Sequence, residues 1–285
     1  MNMMNNFALI IGAMKCGTTS LFSYLAQHPQ ISPCSKKEPN FFSNDLNWSK
    51  GFDCYQSLWD WDSTAHKFAM EASVNYTKAH HFIHTTDRIL SLKEQGVNFK
   101  FIYIMRNPLD RIESHYTHGQ AMSWKSTIKP ISEGINRHLI ETSRYAKQIE
   151  VYYQKFSADS ILLLNFDDLK ADPHSIIRKL CRFLDVDPDY KFEGIDTIHN
   201  ANKQRIVYAN SWRSLRRNKL LRSLAGLIST KQKEMFRDLL FSHQLEEKIK
   251  LSPEQRNFLL QELREDLRKL NSEYGVDIRS WGIEL

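Results

Sequence analysis

The segment Phe7-Ala8-Leu9-Ile10-Ile11-Gly12-Ala13-Met14-Lys15-Cys16-Gly17-Thr18-Thr19 runs from an apolar stretch into a glycine-flanked turn. A short uninterrupted apolar run ended by glycine reads as a strand buried on both faces. Gly12 and Gly17 have the G-x-x-x-x-G spacing of a phosphate-binding loop, and Thr18 opens a helix. The lysine is displaced. A loop for nucleoside triphosphates ends Gly-Lys-Ser/Thr, where the lysine and hydroxyl serve the β/γ-phosphates and Mg²⁺. This loop ends Gly17-Thr18-Thr19 and carries Lys15 inside the turn. It suits a single phosphate group cradled by backbone N–H groups at a helix N-terminus. The competing reading is a strand–helix turn with incidental glycines.

Outward from this segment, Thr18–His28 reads as a helix stopped by Pro29, and Pro33–Ser43 as a charged loop or short strand. Trp48–Trp61 reads as an aromatic short helix and Lys67–Glu71 as a second strand. His80–Leu92 has helical spacing, Phe99–Met105 is a buried strand, and Pro108 sits at a helix N1 position with Asn107 as N-cap. Ser132–Phe156 reads as one helix, Ser160–Asn165 as a strand and Pro173–Leu184 as a helix. Alternating strands and helices predict an α/β fold, a P-loop-like parallel sheet flanked by helices on both faces. After about residue 190 the pattern becomes helical. Asn200–Ser211 reads as a loop, Leu215–Ile228 and Lys231–Leu245 as helices. A long helix opens at Ser252 with Gln255 completing a capping box and ends near Gly275. The expected organisation is one domain over residues 1–285, its sheet-bearing core about 7–190 and its cofactor loop and C-terminal helices about 191–285.

Hydrophobic residues make up 41% of the 285, enough for a sizeable core, and the formal net charge of +6 favours anionic ligands without requiring nucleic acid. No RRM, zinc-finger or basic-arm pattern appears. Cys16, Cys34, Cys54 and Cys181 form no C-x-x-C pair, which argues against a disulfide framework or zinc site and fits a reducing compartment. No apolar run approaches about 18 residues, and Phe7–Ile11 is too short for a signal h-region.

Two further segments carry candidate chemistry. Arg106-Asn107-Pro108-Leu109-Asp110-Arg111-Ile112-Glu113-Ser114-His115-Tyr116 begins where a parallel strand ends, the edge at which such sheets bind ligands. Arg106 with the Ser114 hydroxyl suits a phosphate monoester, and a plain surface helix with i,i+4 charge pairs is the alternative. In Lys36-Lys37-Glu38-Pro39-Asn40-Phe41-Phe42, Glu38 reads either as a positioned general base beside Lys37 or as part of a solvated charged loop.

Together the three segments resemble the sulfotransferases that use 3′-phosphoadenosine 5′-phosphosulfate (PAPS), most closely the heparan sulfate/glycan branch and its bacterial relatives. Lys15-Cys16-Gly17-Thr18-Thr19 is similar to that family's 5′-phosphosulfate loop, Arg106…Ser114-x-Tyr116 to its 3′-phosphate motif, and Lys37-Glu38-Pro39-Asn40-Phe41-Phe42 to its K-E-x-x-F-F motif. Leu163–Val186 and Ser252–Trp281 resemble its last core strand and helix and its C-terminal helix. The resemblance implies Glu38 as catalytic base and Lys15 on the leaving group. It implies cofactor contacts from Lys15, Cys16, Gly17, Thr18, Thr19, Arg106 and Ser114, and from Lys203 and Arg205 in a basic loop near the C-terminus. PAPS is the implied co-substrate, with no metal and a glycan or small-molecule acceptor. The chain departs from the branch at Glu71-Ala72-Ser73-Val74-Asn75-Tyr76, where Ala72 replaces a lysine. Because the chain starts almost at its first strand, the resemblance implies a cytoplasmic enzyme with no membrane anchor.

Other residues stay open. Glu71 is a rival base, and Lys37 and His115 are candidate substrate contacts. His80, His81 and His84 lie close together, with His80 and His84 spaced to share a helix face, but no third metal ligand follows locally. Trp48, Trp59 and Trp61 serve either sugar stacking or core packing. The basic stretch Arg213–Arg222 is a polyanion-binding face or a solvated one. A P-loop kinase, or a nucleotide- or polyanion-binding module without catalysis, are the competing functions. The first predicts preference for ATP–Mg²⁺, the second indifference to loss of Glu38.

Overall fold

The structure is a computed structural model that describes residues 4–122, 135–195, 206–208, 242–244 and 250–284. Strands β1 (Asn6–Gly12), β2 (Ile31–Pro33), β3 (Phe68–Ala72), β4 (Asn98–Met105) and β5 (Ile161–Asn165) form one parallel sheet in the order β2-β3-β1-β4-β5. β1 is central, with Phe7 opposite Ala69 on one side and Phe99 on the other. Its residues Phe7–Ile11 are wholly buried, as an uninterrupted apolar run requires of a strand covered on both faces. The chain moves from β1 outward to β2, returns through β3, and then crosses to β4 and β5 on the other side. The connections leaving β1 and β4 therefore diverge. That divergence opens a crevice at their carboxyl ends, the ligand position in open α/β sheets.

The helices are α1 (Thr18–Leu25), α2 (Asp45–Trp48), α3 (Phe52–Gln56), α4 (Thr85–Glu94), α5 (Pro108–Met122), α6 (Arg137–Glu141), α7 (Tyr145–Tyr153), α8 (Phe166–Ala171), α9 (Pro173–Phe183) and α10 (Pro253–Tyr274). The expected strands are present, along with the short edge strand β2. The start of α5 is as expected: Asn107 Oδ1 accepts from the Leu109 N–H at 2.9 Å. The capping box also forms. The Ser252 hydroxyl accepts from Gln255 N and the Gln255 side chain accepts from Ser252 N, and α10 ends at Gly275 in the left-handed region, φ 66°.

Several boundaries differ from the sequence expectation, each for a local reason. The Trp48–Trp61 helix is two short helices, because Gly51 with φ 84° breaks the run between them. The Ser132–Phe156 helix is broken at Thr142-Ser143-Arg144. Thr142 Oγ1 and Ser143 Oγ donate back to the carbonyls of His138 and Leu139 at 2.7 and 2.8 Å, and such back-bonding competes with the helical ladder. The helix expected over His80–Leu92 begins at Thr85, so His80 and His84 share no helix face. Ile206–Tyr208, expected within a loop, pairs antiparallel as β6 with β7 (Ser242–Gln244), a segment inside the helix expected over Lys231–Leu245. Leu215–Ile228 and the basic stretch Arg213–Arg222 lie outside the described residues.

One side of the sheet is packed with aromatic rings. Tyr55 stacks on Phe41 (centroids 4.3 Å apart) and on Phe7 (5.6 Å), and Trp59 meets Tyr55 edge-on at 4.8 Å. Each buried side chain of this size contributes about 1.5–3 kcal/mol. On the same face, Tyr152 of α7 meets Phe101 of β4 edge-on with centroids 5.0 Å apart, and α10 packs on α7. The Asp266 carboxylate accepts the Ala146 and Lys147 N–H groups at 3.1 and 2.9 Å, capping α7 from a separate helix. The C-terminal tail ties down the ends of β4 and β5. Trp281 Nε1 donates to Asn165 Oδ1 at 3.0 Å, and Asn107 Nδ2 donates to the Trp281 carbonyl at 2.9 Å. Among the described residues no helix is long and apolar enough to cross a membrane.

Candidate active site

The loop after β1 turns back on itself through two left-handed residues, Lys15 (φ 72°) and Gly17 (φ 89°). Gly17 is the N-cap of α1 and makes no side-chain cap, so the first-turn N–H groups of Thr18 and Thr19 face the crevice end of the helix dipole. Glycine is required at position 17 on two counts. Its φ is positive, and a Cβ there would lie 2.4 Å from Cε2 of Phe166, the first residue of α8. The loop is fastened to the next strand by Ala13 N–H donating to the Ile104 carbonyl at 2.7 Å. Cys16 points inward, its Sγ 3.8 Å from the Tyr145 hydroxyl, and burial pushes its thiol up to about 11. Any contact from Cys16 to a ligand is therefore through its backbone.

Arg106 leaves the end of β4. Its guanidinium pairs with Asp110 at 3.0 Å and lies 5.5 Å from the Phe166 ring centre, with the Lys170 ammonium 5.3 Å from the same ring. The Tyr145 hydroxyl donates to the Arg106 carbonyl at 3.0 Å, which fixes the backbone there. Ser114 lies two turns along α5 and lines the same cleft.

Glu38 also has a left-handed backbone, φ 50°, as does Asn40 at 52°. Non-glycine residues held there mark a loop over-determined by its surroundings. The surroundings are visible. Asn40 Nδ2 donates to the Glu38 carbonyl at 2.9 Å and Asn47 Nδ2 to the Pro39 carbonyl at 2.9 Å. Asn40 N–H donates to Ser73 Oγ at 3.1 Å, Phe42 N–H donates to the Tyr76 hydroxyl at 3.4 Å, and both Phe41 and Phe42 are buried. Ser73 and Tyr76 in turn donate to Glu71, at 2.5 and 2.6 Å, and Tyr55 donates to it at 2.6 Å. Glu71 is fully buried, and burial pushes its carboxyl above the ordinary range against the pull of these three hydroxyls. It does not line the cleft. It anchors the hydroxyls on which the Glu38 loop hangs.

These segments meet in one cavity of about 590 Å³, within the roughly 300–1,000 Å³ typical of small-molecule sites. Lys15, Gly17, Thr18, Thr19, Lys37, Glu38, Arg106 and Ser114 all line it. Among the described residues the cleft carries six cationic side chains, Lys15, Lys37, Lys78, Arg106, Lys170 and Lys250, against the carboxylates of Glu38, Asp110 and Glu113. Two of those carboxylates are already engaged, Asp110 by Arg106 and Glu113 by Lys250 and Arg256 at 3.2 and 3.0 Å. The balance favours a polyanionic ligand.

Sequence reasoning passed over Lys78, Lys170, Lys250 and the Phe166 ring. Lys78 sits one residue beyond the short 3₁₀ turn Val74–Thr77, and its ammonium donates to Asn75 Oδ1 at 2.8 Å. Burial lowers its pKa while the Glu38 carboxylate opposes that shift, so the two groups sense each other across the cleft.

Other candidates fall elsewhere. His115 does not line the cleft. Its Nδ1 meets Arg111 Nη1 at 3.0 Å, and burial, then the Arg111 charge, hold the ring far below its usual range, at about 2. His118, one turn on, does line the cleft. Trp59 is a core residue whose Nε1 donates to the Met70 carbonyl at 3.2 Å, and Trp48 and Trp61 also lie outside the cleft. Lys203 and Arg205 lie outside the described residues.

Comparison with known proteins bears on the family and the fold. Residues 6–270 match the family model described as a sulfotransferase domain. The chain is 28% identical over 204 residues to bifunctional heparan sulfate N-deacetylase/N-sulfotransferase 4 of Mus musculus, covering 65% of this chain and 23% of that protein. It is 30% identical over 198 residues to the N-deacetylase/N-sulfotransferase 1 of the same species, covering 62% and 22%. The chain thus spans less than a quarter of the curated relatives it matches. Among solved structures, a sulfotransferase from Alicyclobacillus acidocaldarius superposes with TM-score 0.64 at 22% identity, over 97% of this chain and 98% of that one. Mouse sulfotransferase SULT7A1 complexed with PAP superposes with TM-score 0.55 at 15% identity, over 98% and 88%. Those two likenesses establish the fold, and the family match spans almost the whole chain: this protein belongs to the sulfotransferase domain family.

Proposed function

We propose that the cleft transfers a sulfuryl group from PAPS to a hydroxyl or amine of a carbohydrate or glycan acceptor. The observation that carries the reading is the convergence of three segments remote in sequence, 15–19, 37–38 and 106–114, on one cation-rich cavity in which, among the described residues, Glu38 is the one lining carboxylate not paired to a cleft cation. The glycan acceptor rests on the names of the heparan sulfate relatives.

PAPS, when bound, supplies the activated sulfuryl group. The first-turn N–H groups at Gly17–Thr19 hold its 5′-phosphate, and Lys15 balances the charge that grows on the departing phosphate oxygen. Arg106 and Ser114 hold the 3′-phosphate, which ATP lacks. Glu38 takes the acceptor proton as the new O–S or N–S bond forms and the S–O bond to the 5′-phosphate breaks. Lys78, close enough to feel Glu38, supplies a cation on the acceptor side, where Ala72 leaves none. Positioning and electrostatics do most of the work, as in phosphoryl transfer.

Calorimetric titration with adenosine 3′,5′-bisphosphate, run beside ATP–Mg²⁺ and 5′-AMP, tests the reading. The bisphosphate is expected to bind at least tenfold more tightly than either competitor, and Arg106→Ala to erase the margin. Preference for ATP–Mg²⁺ would replace the proposal with a kinase.

A further inference from the structure

We propose that His80, His81 and His138 form a binding site for one zinc-class divalent cation, held by three imidazole nitrogens with the remaining coordination position open to solvent. His80 and His81 follow the Lys78 turn, whereas His138 comes from α6, 57 residues beyond His81. His80 Nε2 lies 3.1 Å and His81 Nε2 lies 2.9 Å from the same atom, Nδ1 of His138. The three ligand atoms all fall within 4.8 Å of one another.

Hydrogen bonding alone does not explain this convergence. An imidazole nitrogen carries either one proton or one in-plane lone pair. His138 Nδ1 therefore completes one good hydrogen bond, and the second short N···N contact is left competing for it. Ring stacking is not the cause either, because the three ring planes meet at 46–53°. Among the described residues His80 Nδ1 is buried with no hydrogen-bond partner, and the ring's polar contacts there run through this cluster. A cation accepting all three lone pairs removes the conflict. Nitrogens at about 2.0–2.1 Å from a tetrahedral zinc stand about 3.4 Å apart, so small ring rotations suffice.

The supports are in place without the cation. The turn bearing His80 and His81 is held by His81 N–H donating to the Lys78 carbonyl at 2.8 Å and by Ala79 N–H donating to Gln148 Oε1 at 2.9 Å. The helix bearing His138 is capped by Asn136. His81 is exposed and His80 and His138 are half-buried, which gives a path in and room for a water as fourth ligand. Among the described residues the cluster offers three nitrogen donors and no oxygen donor, a set that suits Zn²⁺, Co²⁺, Ni²⁺ or Cu²⁺, and not Mg²⁺ or Ca²⁺. With no anionic ligand, and Lys78 and Arg111 nearby, the affinity will be moderate. None of the three histidines lines the cleft, so the cation sits apart from the transfer chemistry and ties the Lys78 turn to α6.

The test uses untagged full-length protein stripped with a chelator. Zn²⁺ is followed by equilibrium dialysis, and Co²⁺ by the visible absorption of a low-symmetry nitrogen site. One saturable equivalent is expected in the wild type, none in His138→Ala or His81→Gln, and one in His84→Ala. Zn²⁺ should raise the thermal midpoint of the wild type but not of His81→Gln. If His138→Ala fails to fold, the exposed His81→Gln variant, checked by circular dichroism, carries the comparison. Absence of a saturable equivalent in the wild type, or its survival in His81→Gln, overturns the proposal.

Discussion

At the scale of single residues, two carboxylates separate by environment. Glu38 faces the cleft from a loop, and Glu71 lies beneath it with three hydroxyl donors. The proposed base therefore predicts opposite signatures. Glu38→Gln should keep bisphosphate affinity and stability while turnover falls about 10²–10⁴-fold, the usual contribution of general base catalysis. Glu71→Gln should lower stability by about 1.5–3 kcal/mol, the range for hydrogen bonds to a charged group, and leave turnover of the folded fraction within tenfold. Chemical denaturation beside initial-rate kinetics distinguishes them, and a reversed pattern would move the base to Glu71. Gly17→Ala should cost about 1–3 kcal/mol of backbone strain and abolish bisphosphate binding, because the new Cβ meets Phe166. An unchanged denaturation midpoint would show that the loop relaxes around it. The residue types at 15–19, 38 and 106 were legible in the sequence because each motif is local. Glu71 as an anchor was not, since its partners Tyr55, Ser73 and Tyr76 are recognisable only once the strand end and the aromatic layer are packed.

At the scale of elements, caps explain where helices start and break. α10 begins and ends as its sequence requires, with a box at Ser252 and Gln255 and a left-handed Gly275. α7 has no side-chain cap of its own and borrows one, Asp266 of α10. Burial of that carboxylate raises its pKa from 3.8 to about 6, despite the two N–H donors. Between those values the folded chain holds a proton that the unfolded chain has lost, so stability falls as pH rises through the window. The expected outcome is a decline in unfolding free energy from about pH 4 to about pH 6 that flattens in Asp266→Asn. Equilibrium denaturation across that range checks it, and an equal slope in the variant would remove Asp266 as the cause. The single helix expected over Ser132–Phe156 failed for a related reason: Thr142 and Ser143 have ordinary helical neighbours, and their back-bonding gains weight only because Ser143 Oγ also accepts from the buried Arg111 at 2.9 Å.

At the scale of the whole molecule, the sheet order places the β1 loop and the β4 end side by side, and the surrounding lysines give the cleft its sign. Raising ionic strength from about 0.1 M to about 1 M shortens the Debye length from about 10 Å to about 3 Å. Bisphosphate affinity should therefore fall several-fold, and less steeply in Lys170→Met or Lys250→Met. A salt-independent affinity would mean that the cleft cations are not what holds the nucleotide. The sequence by itself determined the central strand, the glycine-flanked loop after it, the parallel α/β class and the family, because each is written in contiguous residues whose spacing sets backbone geometry and burial. Only the tertiary structure decided that Lys78, Lys170 and Lys250 share a cleft with Glu38, that Glu71 lies buried beneath it on three hydroxyl donors, and that His138 meets His80 and His81. Those relations join residues tens to hundreds of positions apart, and their distances are set by packing of the sheet and its helices, which no local pattern encodes.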